Sequence, residues 1–141
     1  MEIETVIREL RKLNQPVPKP LRLPTEREVD AAQRAVGVTF HPDYRTYLLA
    51  ASDVVFGALE PATVLPGRGN RYLPQMAGSA WRDVGLPRDL LPICEDNGDY
   101  YCMTPDGRVV FWSHDGPIAS ETWPDLATWI EKVWIEESLA T

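Results

Sequence analysis

At 141 residues, 44% hydrophobic and 25% charged, the chain has the size and composition of one folded domain with a single core, which excludes a tandem of domains and wholesale disorder. Its net charge of −7 is unevenly spread: residues 1–82 carry 11 Lys and Arg against 9 Asp and Glu, net +2, whereas residues 83–141 carry 3 against 12, net −9. That balance argues against nucleic acid, since phosphate binding needs clustered Lys and Arg, and it would attract a basic protein.

The N-terminus alternates acids with apolar residues instead of showing a basic segment followed by an apolar run. No uninterrupted apolar stretch approaches the roughly 20 residues of a membrane span. The expectation is a cytoplasmic protein without membrane association.

Along the chain, Ile3, Val6, Ile7, Leu10 and Leu13 have the spacing of an amphipathic helix, ended by the proline-rich connector "NQPVPKPLRLP". Thr25 and Glu28 form a capping-box pair ahead of a second helix, with Val29, Ala32 and Val36 on one face and Gly37 as its left-handed stop. Pro42 suits the first turn of a third helix, which would bury Tyr44, Tyr47, Leu48 and Ala51. The centre, "DVVFGALEPATVLP", holds strand-forming residues broken by Gly57, Pro61 and Pro66, and "GRGN" reads as a loop tip. A short helix is expected around Met76 to Val84. Three strands follow in "LLPIC", "DYYCM" and "RVVFWSH", joined by the turn sequences "NGD" and "PDG" into an antiparallel meander. After "DGPIAS", Thr122 and Asp125 repeat the cap-and-box spacing, and Leu126, Trp129, Ile130 and Val133 form the stripe of a closing helix. Helices at both ends of a run of strands predict an α+β domain with helices packed on one central antiparallel sheet.

The ordered set of a capped helix, "HPDYRTYLL", "LPICEDNGDYYCMTPDGRVVFWSHDG" and "ETWPDLATWIEKV" resembles the SUKH superfamily, the Smi/Knr type, over residues 23–133. The chain is thus expected to be a single SUKH-like domain over 1–141, with residues 1–22 adding an N-terminal helix and the connector. The resemblance implies an α+β fold and a non-catalytic role, chiefly that of a bacterial immunity protein that neutralises a cognate toxin, such as a nuclease or other basic effector. It equally admits a regulatory scaffold or adaptor domain. "SDVVFG" stands where the family often has Asn-Gly or Gly-Gly after its second helix, which points to a reshaped loop.

The acid-rich stretch from Leu91 to Gly116 does not fit a catalytic or metal motif. From Asp96, a calcium loop would place Gly98 at its second ligand and Gly107 at its twelfth. Cys94, Cys102, His41 and His114 are scattered singly, unlike paired zinc ligands. "PGRGN" lacks the Lys-Ser/Thr of a phosphate loop, and "AGSAW" lacks the second glycine of a nucleophile elbow. Cys102, His114 and Asp115 could be grouped as a nucleophile triad, but strand alternation makes Cys102 a small core residue. Neither cofactor nor metal is expected. Cys94 and Cys102 should remain reduced, although a hairpin there would make them neighbours.

What remains is a surface for a protein partner. Glu95, Asp96, Asp99 and Asp115 would supply negative charge, and Trp112 or Tyr100 an apolar anchor, on a protein that is monomeric when free.

Overall fold

The computed structural model describes residues 1–115 and 121–140; most of "DGPIAS" lies outside them. Among the described residues, five helical regions and one 3₁₀ turn accompany a four-stranded sheet. Helix α1 (Ile3–Lys12) buries the predicted Ile3, Val6, Ile7 and Leu10. It is tied to the end of α3 (Pro42–Ala51) by Arg11, whose guanidinium bonds both carboxylate oxygens of Asp53 at 2.7 and 3.2 Å. Asn14 adds a side-chain acceptor for the Val55 N–H at 2.8 Å, so the chain leaves α1 at a defined angle.

Helix α2 (Glu26–Val36) starts in the predicted capping box, with Thr25 accepting from the Glu28 N–H and Glu28 accepting from the Thr25 N–H. Gly37 ends it at φ 79°, a backbone region costly for a residue with a Cβ. In α3, Pro42 occupies the first turn, His41 caps it by accepting from the Asp43 N–H at 3.1 Å, and Tyr44, Tyr47, Leu48 and Ala51 are buried. Between α1 and α2 the proline-rich connector has no regular structure.

The centre departs from expectation. The stretch from Asp53 to Pro66 forms no strand, only an isolated parallel bridge between Thr63 and Tyr72. Its apolar residues Ala62, Val64 and Leu65 are nonetheless buried, and Ala62 donates its N–H to the Ile93 carbonyl at 2.8 Å. The segment therefore covers a sheet edge without extending the ladder, which suits a run interrupted by Pro61 and Pro66. "GRGN" leads into a single 3₁₀ turn, Gly69–Arg71. Helix α4 (Leu73–Ser79) begins three residues earlier than the predicted helix and continues as a π-helical turn, Ala80–Val84, stopped by Gly85 at φ 86°.

Strands β1 (Leu91–Asp96), β2 (Asp99–Met103), β3 (Val109–Trp112) and β4 (Glu121–Trp123) pair in sequence order as an antiparallel meander. The fourth strand was not expected, and it corrects the reading of Thr122: that residue pairs with Val110 in the sheet, while Asp125 alone caps the closing helix by accepting from the Thr128 N–H at 2.7 Å. Pro92, which has no N–H, is tolerated because β1 is an edge strand, and a register shift between Pro92 and Cys94 leaves Ile93 as a bulge.

The closing helix runs from α5 (Leu126–Trp129) through a π-helical stretch, Ile130–Glu136, into α6 (Glu137–Ala140). Trp134, eight positions after Leu126, continues the stripe of Leu126, Trp129, Ile130 and Val133. The i→i+5 winding brings a residue and its fifth neighbour closer to one face, and both Trp129 and Trp134 are buried. The Trp134 indole donates to the Phe56 carbonyl at 2.8 Å and packs on Tyr47 and Trp129.

Candidate protein-binding surface at the hairpin end of the sheet

Strands β1 and β2 are joined by Asn97 and Gly98 alone, at φ 53° and 88°. A two-residue turn with both central residues at positive φ matches the twist of a hairpin, and Asn-Gly is the pair that adopts it most readily. This turn sets the register, and the register sorts the acidic stretch onto two faces. Glu95, Tyr100 and Trp112 are cross-strand partners in one row, so three predicted site residues share a face. Asp96 and Asp99 pair in the next row. The six predicted residues are thus all gathered at one end of the sheet.

Their exposure differs. Glu95 and Asp115 are exposed, and Asp96, Asp99 and Trp112 are half-buried. Tyr100 is a correction: it is only 5% exposed, with α4 over its face of the sheet, so its ring is part of the core and not a free anchor. Of the two apolar anchors considered, only Trp112 keeps appreciable surface.

His114 locks the end of the hairpin. Its backbone N–H donates to Asp99 Oδ1 at 3.2 Å, its Nδ1 lies 2.8 Å from the same oxygen, and its Nε2 lies 3.3 Å from Asp115. The hydrogen bond to Asp99, then the charge of Asp115, raises the His114 pKa above its ordinary value. Burial acts to raise the Asp99 pKa, but the hydrogen bonds from His114 and Ser113 outweigh it and the net shift is downward. Asp99 and Asp115 thus share one histidine, His114, as their partner.

On the Glu95 face, Glu60, Asn70, Arg71, Met76, Ser79, Glu95 and Tyr100 line a cleft of about 350 Å3. Arg71 brings a cation into it, donating to the Pro61 carbonyl at 3.0 Å, while its buried Nε has no partner among the described residues. On the opposite face, Tyr101, Phe111 and Trp123 form an aromatic patch, with Tyr101 5.0 Å from Phe111, 5.8 Å from Trp123 and 5.2 Å from the buried Trp129. Glu121 pairs with Phe111 on that face, and Asp96 and Glu137 line a recess beside Tyr101. Tyr101, Glu121 and Glu137 were not among the residues the sequence pointed to. Period-two alternation separates Tyr101 from Tyr100, but nothing in the sequence says which face α4 covers and which the closing helix leaves partly open.

The cysteines stand apart from this surface. Cys94 lies opposite Tyr101 and Cys102 opposite Pro92, so the two thiols project from opposite faces of the hairpin and both are free. Burial pushes the Cys94 thiol up to about 12 and raises that of Cys102 further still. His114, bonded to Asp99, is not a base for either.

The family described as SUKH_5, SMI1-KNR4 cell-wall, matches residues 3–135. The chain belongs to the SUKH family. The match takes in α1 and the proline-rich connector, ahead of the stretch that carries the resemblance in the sequence. The SUKH domain is also similar to a crystal structure of a protein from Pseudomonas syringae pv. tomato, at 41% identity and a TM-score of 0.86, covering 93% of this chain and 97% of that one. No curated protein matches it. Among the described residues, no helix of this SUKH domain is long and apolar enough to cross a membrane.

Proposed function

We propose that this SUKH domain is an immunity protein that binds a cognate bacterial toxin, one to one and without turnover, through the hairpin end of its sheet. The observation that carries the reading is the convergence of Glu95, Asp96, Asp99 and Asp115, from β1, β2 and the segment after β3, on one end of a rigid meander. Family membership supports a protein-binding role, and the residue pattern that first suggested the family implies toxin neutralisation. A carboxylate-rich end complements a basic effector: desolvated charge pairs across such an interface couple by about 1.5–7 kcal/mol, whereas rim pairs mainly speed association. In this reading the protein is cytoplasmic, monomeric when free, and needs no cofactor.

The test is calorimetry at low and high salt between the protein and the toxin domain encoded next to its own gene. Tight one-to-one binding that weakens with salt and falls at least tenfold in Glu95→Lys or Asp96→Lys supports the proposal. Asp99 is left intact because it holds His114. Weak binding to several unrelated proteins, with none to the neighbour, would favour the adaptor role instead.

A further inference from the structure

The two sides of the hairpin end are electrostatically unlike. The cleft beside Glu95 holds its own cation, Arg71, next to Glu60 and Glu95. On the other side, Gly57, Leu59, Asp96, Tyr101, Val133 and Glu137 line a recess of about 190 Å3 that no cation among the described residues lines. Asp96 accepts only from the neighbouring Asn97 amide at 3.4 Å, and neither it nor Glu137 has an ion-pair partner among the described residues. The recess is smaller than the roughly 300–1,000 Å3 of small-molecule pockets. It is therefore sized for a single side chain.

Its walls differ in kind from its rim. Leu59 and Val133 are apolar, Tyr101 contributes part of an aromatic ring, and the two carboxylates come from β1 and α6, so the sheet and the closing helix both position the site. A long side chain with an apolar stem and a cationic head matches this arrangement. Arginine matches it better than lysine, because a planar guanidinium can bond two carboxylates while stacking on an aromatic face. Burial first, then the charges of Asp96 and Glu137, raise the Tyr101 pKa, in keeping with the two carboxylates that line the recess with it.

We propose that this recess receives an arginine side chain of the protein partner, its guanidinium held by Asp96 and Glu137 against the ring of Tyr101. The inference rests on the partner-binding reading above and assigns the primary contact to the Tyr101 face and not to the Trp112 face. Phe111 and Trp123 extend the apolar surface around the inserted side chain, and Glu121 adds a further acceptor for basic neighbours.

The experiment titrates the isotope-labelled full chain at low salt with a capped glycine-arginine-glycine tripeptide and with its neutral citrulline analogue, following backbone amide shifts by NMR. Saturable shifts centred on Asp96, Tyr101 and Glu137 with the arginine peptide, absent with citrulline and weakened at least tenfold in D96N/E137Q, are the expected result. No saturable shift at these residues, equal shifts with citrulline, or an unchanged response in the variant would overturn it. Both substituted carboxylates lie at the surface, and an unchanged melting temperature establishes that the variant is folded. Calorimetry against the neighbour-encoded toxin domain separates the two readings. If the wild type binds and D96N/E137Q binds equally well, the recess is not the contact and the immunity reading stands. If the wild type does not bind, the immunity reading fails and the tripeptide titration alone judges the recess.

Discussion

Replacing Trp134 by Phe tests how much the buried indole of the closing helix contributes to stability. Trp134 is fully buried, its N–H donates to the Phe56 carbonyl at 2.8 Å, and its ring lies 6.2 Å from Tyr47 and 6.3 Å from Trp129. Phenylalanine retains the apolar contact but strands the Phe56 carbonyl, a cost of about 1–3 kcal/mol. The narrower ring leaves a void that costs on the order of 1 kcal/mol more. The sum of about 2–4 kcal/mol is a large share of the roughly 5–15 kcal/mol that stabilises a domain. At roughly 3–4 °C per kcal/mol for a chain of this length, the melting temperature should fall by about 6–16 °C. Trp81→Phe is the internal control: that indole also donates to a carbonyl, Leu90 at 3.0 Å, but Trp81 is half-buried, so water can replace part of the loss. Urea unfolding of both variants, read by far-UV circular dichroism, provides the comparison. A Trp134→Phe loss below about 1 kcal/mol, or one no larger than that of Trp81→Phe, would refute the argument that the buried indole bond anchors the helix.

The His114 and Asp99 pair predicts a pH window. The raised His114 pKa contributes stability that is complete below the unfolded value of about 6.5 and is lost as pH rises through the folded value. The lowered Asp99 pKa contributes stability present above about 3.9 and lost as pH falls through its folded value. His114→Gln should lower the melting temperature between those limits and remove its decline as pH rises above about 6.5, and a His114 NMR titration midpoint at or below about 6.5 would contradict the pairing. Gly107→Ala should destabilise by about 2 kcal/mol or more, because φ is +92° and the new Cβ would fall 2.6 Å from His41 Nε2. Gly37→Ala, at φ +79° with open space around it, should cost only about 1 kcal/mol, and equal losses in the two variants would remove the role assigned to His41. Thr25→Ala should cost about 1 kcal/mol in chemical unfolding by removing one arm of the capping box. Cys94 and Cys102 should label with a thiol reagent only as fast as the protein opens, so rapid native-state labelling would contradict their burial.

Local features were read correctly where the cause is local. The Thr25–Glu28 box, Pro42 at the start of α3 and the Asn97–Gly98 turn each depend on a few neighbouring residues, and each stands where the sequence placed it. The meander followed from the same turns, and the resemblance to SUKH proteins rested on the order of these elements. At Thr122 a local signal yields to a long-range one. Its spacing to Asp125 satisfies a cap-and-box rule, but pairing with Val110 claims it for β4. The stretch from Asp53 to Pro66 shows the reverse, since strand-forming residues run beside an edge that Pro61 and Pro66 prevent them from joining.

The sequence by itself therefore determined the main helices, the first three strands, their order and the acidic character of the hairpin end, because capping, turn chemistry and hydrophobic period act over a few residues. Only the tertiary structure decided which face each strand residue presents to a covering helix, and so which aromatics stay open. Tyr100 and Tyr101 are adjacent in sequence, yet one is buried on the face that α4 covers and the other borders the recess at the closing helix. Likewise, Asp96 and Glu137 share a recess although some forty positions of chain separate them, a proximity that only packing of the closing helix against the sheet creates.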